Sequence, residues 1–269
     1  MPATAKINLA LVVGGRREDG RHEVATVLQR IDLADRVQLE PAPALSVEGF
    51  PADTLVRQGL RALAEHRSIQ PRWRVRIEKR IPPAAGLGGG SSDAAAALRL
   101  ASETLEEPLE RNELHRIAAT LGADVPFFLE PGPRLGLGDG TRLELVALPQ
   151  DYWIALLLPD GERKESTAAV YRSFEERAGA AGYEERLGAL HTALQGVRRP
   201  RDLEALPPND LASSPLADRL RELGAFRADV SGAGPVVYGL FQHRAAAEAA
   251  TAALESLGRT WISVPAWYF

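Results

Sequence analysis

The sequence predicts an α+β fold, on three observations. Short segments alternate apolar and polar residues, as half-buried strands do; other segments carry helical spacing; and Gly/Pro-rich turns join them as hairpins as well as crossovers. At 269 residues the chain can bury one large core or two smaller ones. A new unit is expected near Asp151, giving domains over residues 1–150 and 151–269.

Residues 3–14 read as the first strand and residues 16–20, Arg-Arg-Glu-Asp-Gly, as its turn. Residues 22–28 and 35–40 read as two further strands, and Pro41, Pro43 and Pro51 mark a loop. Over residues 54–67, Leu55, Leu60 and Leu63 share one helical face. Trp73, Val75 and Ile77 alternate with Arg74, Arg76 and Glu78, the pattern of a half-buried strand. Past the segment 82–92, helices are expected over 93–105 and 110–121 and strands within 134–148. Residues 153–158 form an apolar strand, 167–196 are mostly helical, and 216–223 form a short helix. Residues 227–231 and 236–241 read as strands joined by Gly232-Ala233-Gly234-Pro235, followed by a helix over 245–257 and a strand over 261–264.

Composition narrows the chemistry. There is no cysteine, which removes disulfides, thiolate metal sites and cysteine nucleophiles. The net charge of −4 gives no support to a general polyanion binder, so nucleic acid is not expected as a partner. The N-terminal run is interrupted by Asn8 and followed by Arg16 and Arg17, which suits a strand better than a signal peptide. No stretch approaches the ~20 apolar residues of a membrane span, and a cytoplasmic protein is expected. Of 32 basic residues only Lys6, Lys79 and Lys164 are lysine.

Gly86-Leu87-Gly88-Gly89-Gly90-Ser91-Ser92 connects an expected strand to an expected helix. Glycines let backbone N–H groups approach an anion, and a helix N-terminus adds unpaired donors and the positive end of a dipole. Together these suit a phosphate, and Ser91 and Ser92 can cap the helix or offer hydroxyls to the phosphate or its magnesium ion. The spacing is neither Walker A nor a Rossmann turn. Asp124 lies in an apolar setting, where an acid is either a turn cap or a functional carboxylate. Lys6 sits on an apolar strand with Asn8 two residues on, so both project to one face.

The segment Pro83-x-x-Gly86-Leu87-Gly88-Gly89-Gly90-Ser91-Ser92 resembles the ATP-binding motif of the GHMP kinases. Ala5-Lys6-Ile7-Asn8-Leu9, Asp19-Gly20-Arg21-His22, Leu121-Gly122-Ala123-Asp124-Val125-Pro126-Phe127-Phe128, Asn209-Asp210-Leu211 and Ser231-Gly232-Ala233-Gly234-Pro235 resemble, in order, segments of one branch of that family. The resemblance implies an N-terminal ribosomal-S5-like domain and a C-terminal ferredoxin-like domain. It also implies ATP- and Mg²⁺-dependent phosphorylation of the 2-hydroxyl of 4-diphosphocytidyl-2-C-methyl-D-erythritol, a step of non-mevalonate isoprenoid synthesis, by a monomer or homodimer.

Roles follow from the same resemblance. Asp124 would be the base that accepts the hydroxyl proton, paired with Lys6, whose ammonium keeps the carboxylate ionised and stabilises the reacting oxygen. Thr54, Lys79, Pro82, Gly86, Leu87, Gly88, Gly89, Gly90, Ser91, Ser92 and Asp93 would line ATP. Asn8, Arg21, His22, Asp124, Thr167, Tyr171, Gly232 and Gly234 would contact the cytidyl diphosphate sugar alcohol. Asp93 reads as mainly structural, and no protein side chain is assigned to a metal. Two positions depart from the pattern: Arg21 replaces a tyrosine that stacks on cytosine, and Thr54 replaces an adenine-side asparagine. A guanidinium plane can also stack on a base. Another small-molecule GHMP kinase, of homoserine or phosphomevalonate type, and a non-catalytic nucleotide-binding relative are the competing readings. The Asp-Gly-x-His segment and the triple glycine favour the cytidyl branch, and retention of Lys6 and Asp124 favours a catalyst.

Overall fold

A computed structural model of the protein describes residues 1–50, 54–161 and 166–266; Lys164 lies outside them. The architecture is α+β, and the chain divides into two compact units that interleave along the sequence. Unit 1 comprises Met1–Ala5, Leu33–Pro83 and Gly88–Pro131; unit 2 comprises Lys6–Asp32, Ala84–Leu87 and the chain from Gly132 onward.

Strands β1 (Pro2–Arg16) and β2 (His22–Pro41) pair with each other and contribute to both units. The sequence suggests two short strands where β2 runs unbroken. The polar Asp32 does not interrupt it, because its carboxylate accepts from Ser263 Oγ at 2.5 Å and from the Val264 N–H at 3.0 Å. A tertiary partner thus satisfies what local sequence reads as a break.

In unit 1, β3 (Ser46–Glu48) runs parallel to β4 (Trp73–Glu78), and β4 is antiparallel to the Arg36–Pro41 half of β2. Helices α1 (Thr54–His66), α2 (Gly89–Glu103) and α3 (Arg111–Leu121) complete the unit. In α1, Val56, Leu60, Leu63 and Ala64 make the buried stripe. Gly59 lies on the same face, where a Cβ would come within 3.0 Å of a Leu121 methyl and 3.5 Å of Leu98. Helix α2 starts four residues earlier than its sequence pattern suggests. Gly88 takes the N-cap position in the left-handed region, φ 71°, so Ser91 and Ser92 lie inside the first turns and do not cap the helix. Ser92 is buried, and its N–H bonds the Gly88 carbonyl at 2.9 Å.

In unit 2, the Val24–Leu28 half of β2 pairs with β5 (Arg134–Gly138), which continues into β6 (Arg142–Leu145). A second, fully antiparallel sheet has the order β10-β7-β9-β8, formed by β7 (Trp153–Pro159), β8 (Arg227–Val230), β9 (Val237–Phe241) and β10 (Gly258–Ser263). Alternate residues Ala155, Leu157, Ala228, Val230, Val237 and Phe241 face one side. They pack on Ala217 and Leu220 of α6 (Pro215–Glu222) and on Ala247, Ala250 and Leu254 of α7 (Arg244–Leu254). The helical stretch near 167–196 is two helices, α4 (Thr167–Glu176) and α5 (Tyr183–Gly196). The chain turns between them over the Phe174 ring, so closely that a Cβ at Gly179 would meet the ring at 2.3 Å. Among the described residues no helix is long and apolar enough to cross a membrane.

Candidate active site

Strand β1 carries a buried polar row in an otherwise apolar run: Lys6, Asn8 and, from β2, Thr26 are 3%, 4% and 5% exposed. Lys6 Nζ donates to Asn8 Oδ1 at 2.6 Å, and Asn8 Nδ2 donates to Thr26 Oγ1 at 2.8 Å. Thr26 Oγ1 in turn donates to the Ala10 carbonyl at 2.9 Å. The Asn8 carbonyl accepts from the buried Tyr238 hydroxyl at 3.0 Å, so both ends of Asn8 are held.

The glycine-rich turn meets this row through its backbone. The Lys6 N–H donates to the Leu87 carbonyl at 2.9 Å. Gly86 has φ +82°, and a Cβ there would fall 2.2 Å from the Ser231 carbonyl oxygen, so no other residue fits. Ser231 Oγ donates to the Gly86 carbonyl at 3.0 Å, and the Val236 N–H to the Ala85 carbonyl at 3.2 Å. The loop Ser231–Pro235, whose Gly234–Pro235 peptide is cis, is thereby bound to the glycine turn. Gly232 also takes the left-handed region, φ +59°, which side chains rarely adopt, and a Cβ there would approach Lys6 Nζ tightly at 3.2 Å and Asn8 Oδ1 at 3.3 Å. Asn209 Nδ2 fixes the loop from behind, donating to the Val230 carbonyl at 2.9 Å and the Gly232 carbonyl at 2.6 Å. Unit 2 thus gathers Lys6, Asn8, Gly86, Leu87 and Gly232 in one place. Gly234 lies in the same bound loop and is buried.

Beyond Leu87 the turn becomes helix α2. Gly88, Gly89, Gly90 and Ser91 are partly exposed, and the first N–H groups of a helix have no partner within it. These donors and the positive dipole end fit the phosphates of ATP. Pro82 and Leu87, both ahead of the partly exposed turn in sequence, are buried.

Lys79 is committed to a buried triad. Its Nζ lies 2.5 Å from Asp35 Oδ2 and 2.7 Å from Asp93 Oδ2, and both carboxylates are fully buried. Burial alone would lower the lysine pKa, but Asp93 and Asp35 outweigh it and hold the ammonium above its ordinary value. Asp35 Oδ1 accepts from the Arg80 and Ile81 N–H groups at 2.5 and 2.8 Å. The triad therefore ties β2, the strand leading into the glycine turn, and helix α2 together.

Asp124 is half-buried in the turn between α3 and the 3₁₀ helix Pro126–Leu129. That helix has Val125 at its cap position, without a side-chain cap. Val125, Pro126, Phe127 and Phe128 are buried, with the two phenyl rings 5.1 Å apart, and anchor the turn.

His22 stacks on Tyr171 of α4, with ring centroids 4.6 Å apart and planes 26° apart. Phe174 meets the imidazole edge-on at 6.2 Å, and Glu175 Oε1 lies 2.9 Å from Nε2. Arg21 pairs with Asp139. Burial would raise the Asp139 pKa, but Thr141 and Arg21 together hold it below the ordinary range. Thr167 begins α4 and Thr54 begins α1, both exposed. His66 and His115 pair with Glu113 and Glu130, as structural histidines do. No group of three or more His, Asp or Glu residues able to hold a metal occurs among the described residues.

Sequence reasoning did not single out Thr26, Asp35, Glu175 or Asn209 as site-supporting residues. A polar residue inside the apolar run Val24-Ala25-Thr26-Val27-Leu28 is the one signal that could have exposed Thr26. Asp35 and Glu175 find their partners only through tertiary contact.

Comparison with known proteins completes the picture. Residues 54–132 match the family model for the GHMP kinases N terminal domain, and residues 203–260 that for GHMP kinases C terminal. A 4-diphosphocytidyl-2-C-methyl-D-erythritol kinase of Bacillus pumilus is 36% identical, over 90% of this chain and 87% of its own. The Pelobacter propionicus protein of the same name is 36% identical, over 99% of this chain and 97% of its own. A crystal structure of 4-(cytidine 5'-diphospho)-2C-methyl-D-erythritol kinase superposes with a TM-score of 0.77 at 33% identity, covering 98% of each chain. The Methanococcus jannaschii mevalonate kinase reaches a TM-score of 0.75 at 14% identity over 99% of this chain and 98% of its own, a likeness of fold alone.

Proposed function

The chain belongs to the GHMP kinases, and we infer that it transfers the γ-phosphoryl group of ATP to the 2-hydroxyl of 4-diphosphocytidyl-2-C-methyl-D-erythritol. The observation that carries this reading is sequence similarity along nearly the whole chain to kinases of that one substrate. The same reading locates the enzyme in the cytoplasm.

The acceptor hydroxyl sits on a carbon that also bears a methyl group, so it is a tertiary alcohol, crowded and weakly acidic. Its oxygen forms a bond to the γ-phosphorus, the bond from that phosphorus to the β,γ-bridging oxygen breaks, and ADP leaves. The hydroxyl proton needs an acceptor, which we assign to the Asp124 carboxylate. We assign to the Lys6 ammonium the negative charge gathering on the reacting oxygens, with Asn8 holding that ammonium. Phosphoryl transfer asks the protein mainly for positioning and charge stabilisation. The N–H groups of Gly88, Gly89, Gly90 and Ser91 hold the phosphates. The Ser91 hydroxyl would lie with the phosphates, and a magnesium ion bound with ATP would supply neutralisation of phosphate charge. His22 and Tyr171 receive the cytosine ring, and Arg21 supplies a planar cation where the family's usual tyrosine is absent. Thr167, Gly232 and Gly234 complete the acceptor pocket, and Thr54 and the Lys79 backbone flank adenine.

The test is a panel of alcohols with purified protein and Mg·ATP, scored by ADP release. Turnover is expected with the cytidyl substrate. Turnover with homoserine or a mevalonate derivative instead would overturn the reading in favour of another GHMP activity.

A further inference from the structure

The polarity of the buried row beneath Lys6 can be assigned atom by atom. The Ala10 carbonyl can only accept, so the single Thr26 hydroxyl proton is spent on it, at 2.9 Å. Oγ1 then faces Asn8 with lone pairs alone and suits only the amide NH₂, which lies 2.8 Å away. That turns Asn8 Oδ1 to the other side, 2.6 Å from Lys6 Nζ, a group that can only donate. A flipped amide would set donor against donor at the lysine and acceptor against acceptor at the threonine. The threonine itself is oriented by packing. It pairs with Gly136 of β5, where a Cβ would stand 3.2 Å from the Thr26 methyl. The missing side chain leaves room for that methyl and turns the hydroxyl toward β1.

We propose that Thr26 is a positioning residue for phosphoryl transfer: its hydroxyl fixes the orientation of the Asn8 amide, which in turn holds the Lys6 ammonium. The proposal rests on the assignment of Lys6 as a catalytic group. A Thr26→Val variant keeps the shape and deletes the acceptor. Loss of one such oriented interaction, on the order of tenfold in kcat, is expected, with KM for ATP changed less than twofold. Thr26→Ser keeps the hydroxyl and is expected to retain activity.

The deciding measurement is a double-mutant cycle with Asn8→Ala, read in kcat, with thermal melts run on every variant. If Thr26 acts through Asn8, the double variant is no slower than Asn8→Ala alone. Additive losses, or a Thr26→Val enzyme with wild-type kcat, would overturn the proposal. Should Thr26→Val fail to fold, the same cycle with Thr26→Ala decides by the same criterion. Lys6→Met is measured alongside: an active Lys6→Met enzyme refutes the underlying assignment, whereas an inactive one with additive Thr26 and Asn8 losses refutes only the role of Thr26.

Discussion

Replacing Lys79 with methionine probes the buried triad of unit 1. The substitution keeps the length of the side chain and deletes the ammonium. It takes the ammonium away from the Asp35 and Asp93 carboxylates, both fully buried and formerly 2.5 and 2.7 Å from that nitrogen. Breaking a buried pair by removing one partner costs about 3–5 kcal/mol, because charge stays behind uncompensated. In a chain of this size each kcal/mol lowers the melting temperature by about 2–4 °C, so a fall of roughly 6–20 °C is expected. Arg74 is the control. It also touches two carboxylates, Glu40 and Glu48, but all three side chains are at least 46% exposed. Arg74→Met should cost at most about 1 kcal/mol. Circular dichroism melts of both variants make the comparison. The pH dependence adds a second check. The folded pKa of Lys79 is raised above the ordinary 10.5, so its stabilisation is whole below that value and is lost as the pH rises through the folded value. The gap between wild type and Lys79→Met should therefore hold across about pH 8–10 and narrow above it. A melting shift no larger than that of Arg74→Met would refute the reasoning.

Three further outcomes are expected. Asp124→Asn should fold and bind ATP with wild-type affinity but lose about 10²–10⁴-fold in kcat, the usual worth of a general base; near-normal turnover would reject that role. Gly232→Ala forces a side chain into a left-handed conformation 3.2 Å from Lys6 Nζ. It should cost about 1–2 kcal/mol of stability, seen in the melt, and reduce kcat as well. Arg21→Ala should raise KM for the cytidyl substrate several-fold while leaving KM for ATP unchanged; an equal effect on both would place Arg21 elsewhere in the mechanism.

Local pattern carried much of the fold. The alternation of Trp73, Val75 and Ile77 became β4, and the spacing of Leu60 and Leu63 became the buried face of α1. Where expectation and structure differ, a long-range partner decides. Residues 22–28 and 35–40 read as two strands, but β2 runs through the gap between them, where Ser263 satisfies Asp32. Ser91 and Ser92 read as caps, but Gly88 can adopt the left-handed cap conformation and the helix begins ahead of them. The candidate site was legible as motifs, because glycine turns and paired Lys and Asn positions leave local signatures. Its supporting layer was not. Nothing local tells that Thr26 carries Asn8, that Asp35 shares Lys79 with Asp93, or that Glu175 meets His22. Those contacts exist only once strands and helices from separate parts of the chain are packed together.

The central claim concerns one hydroxyl of one acceptor, and phosphorus NMR of the product addresses it directly. The enzyme, Mg·ATP and 4-diphosphocytidyl-2-C-methyl-D-erythritol should yield ADP and one new phosphomonoester resonance. Because C2 bears no hydrogen, that resonance should show no three-bond coupling to a carbinol proton. A new phosphomonoester signal split by such a proton, the mark of transfer to a primary or secondary hydroxyl, or no new signal beside consumed ATP, would contradict the account.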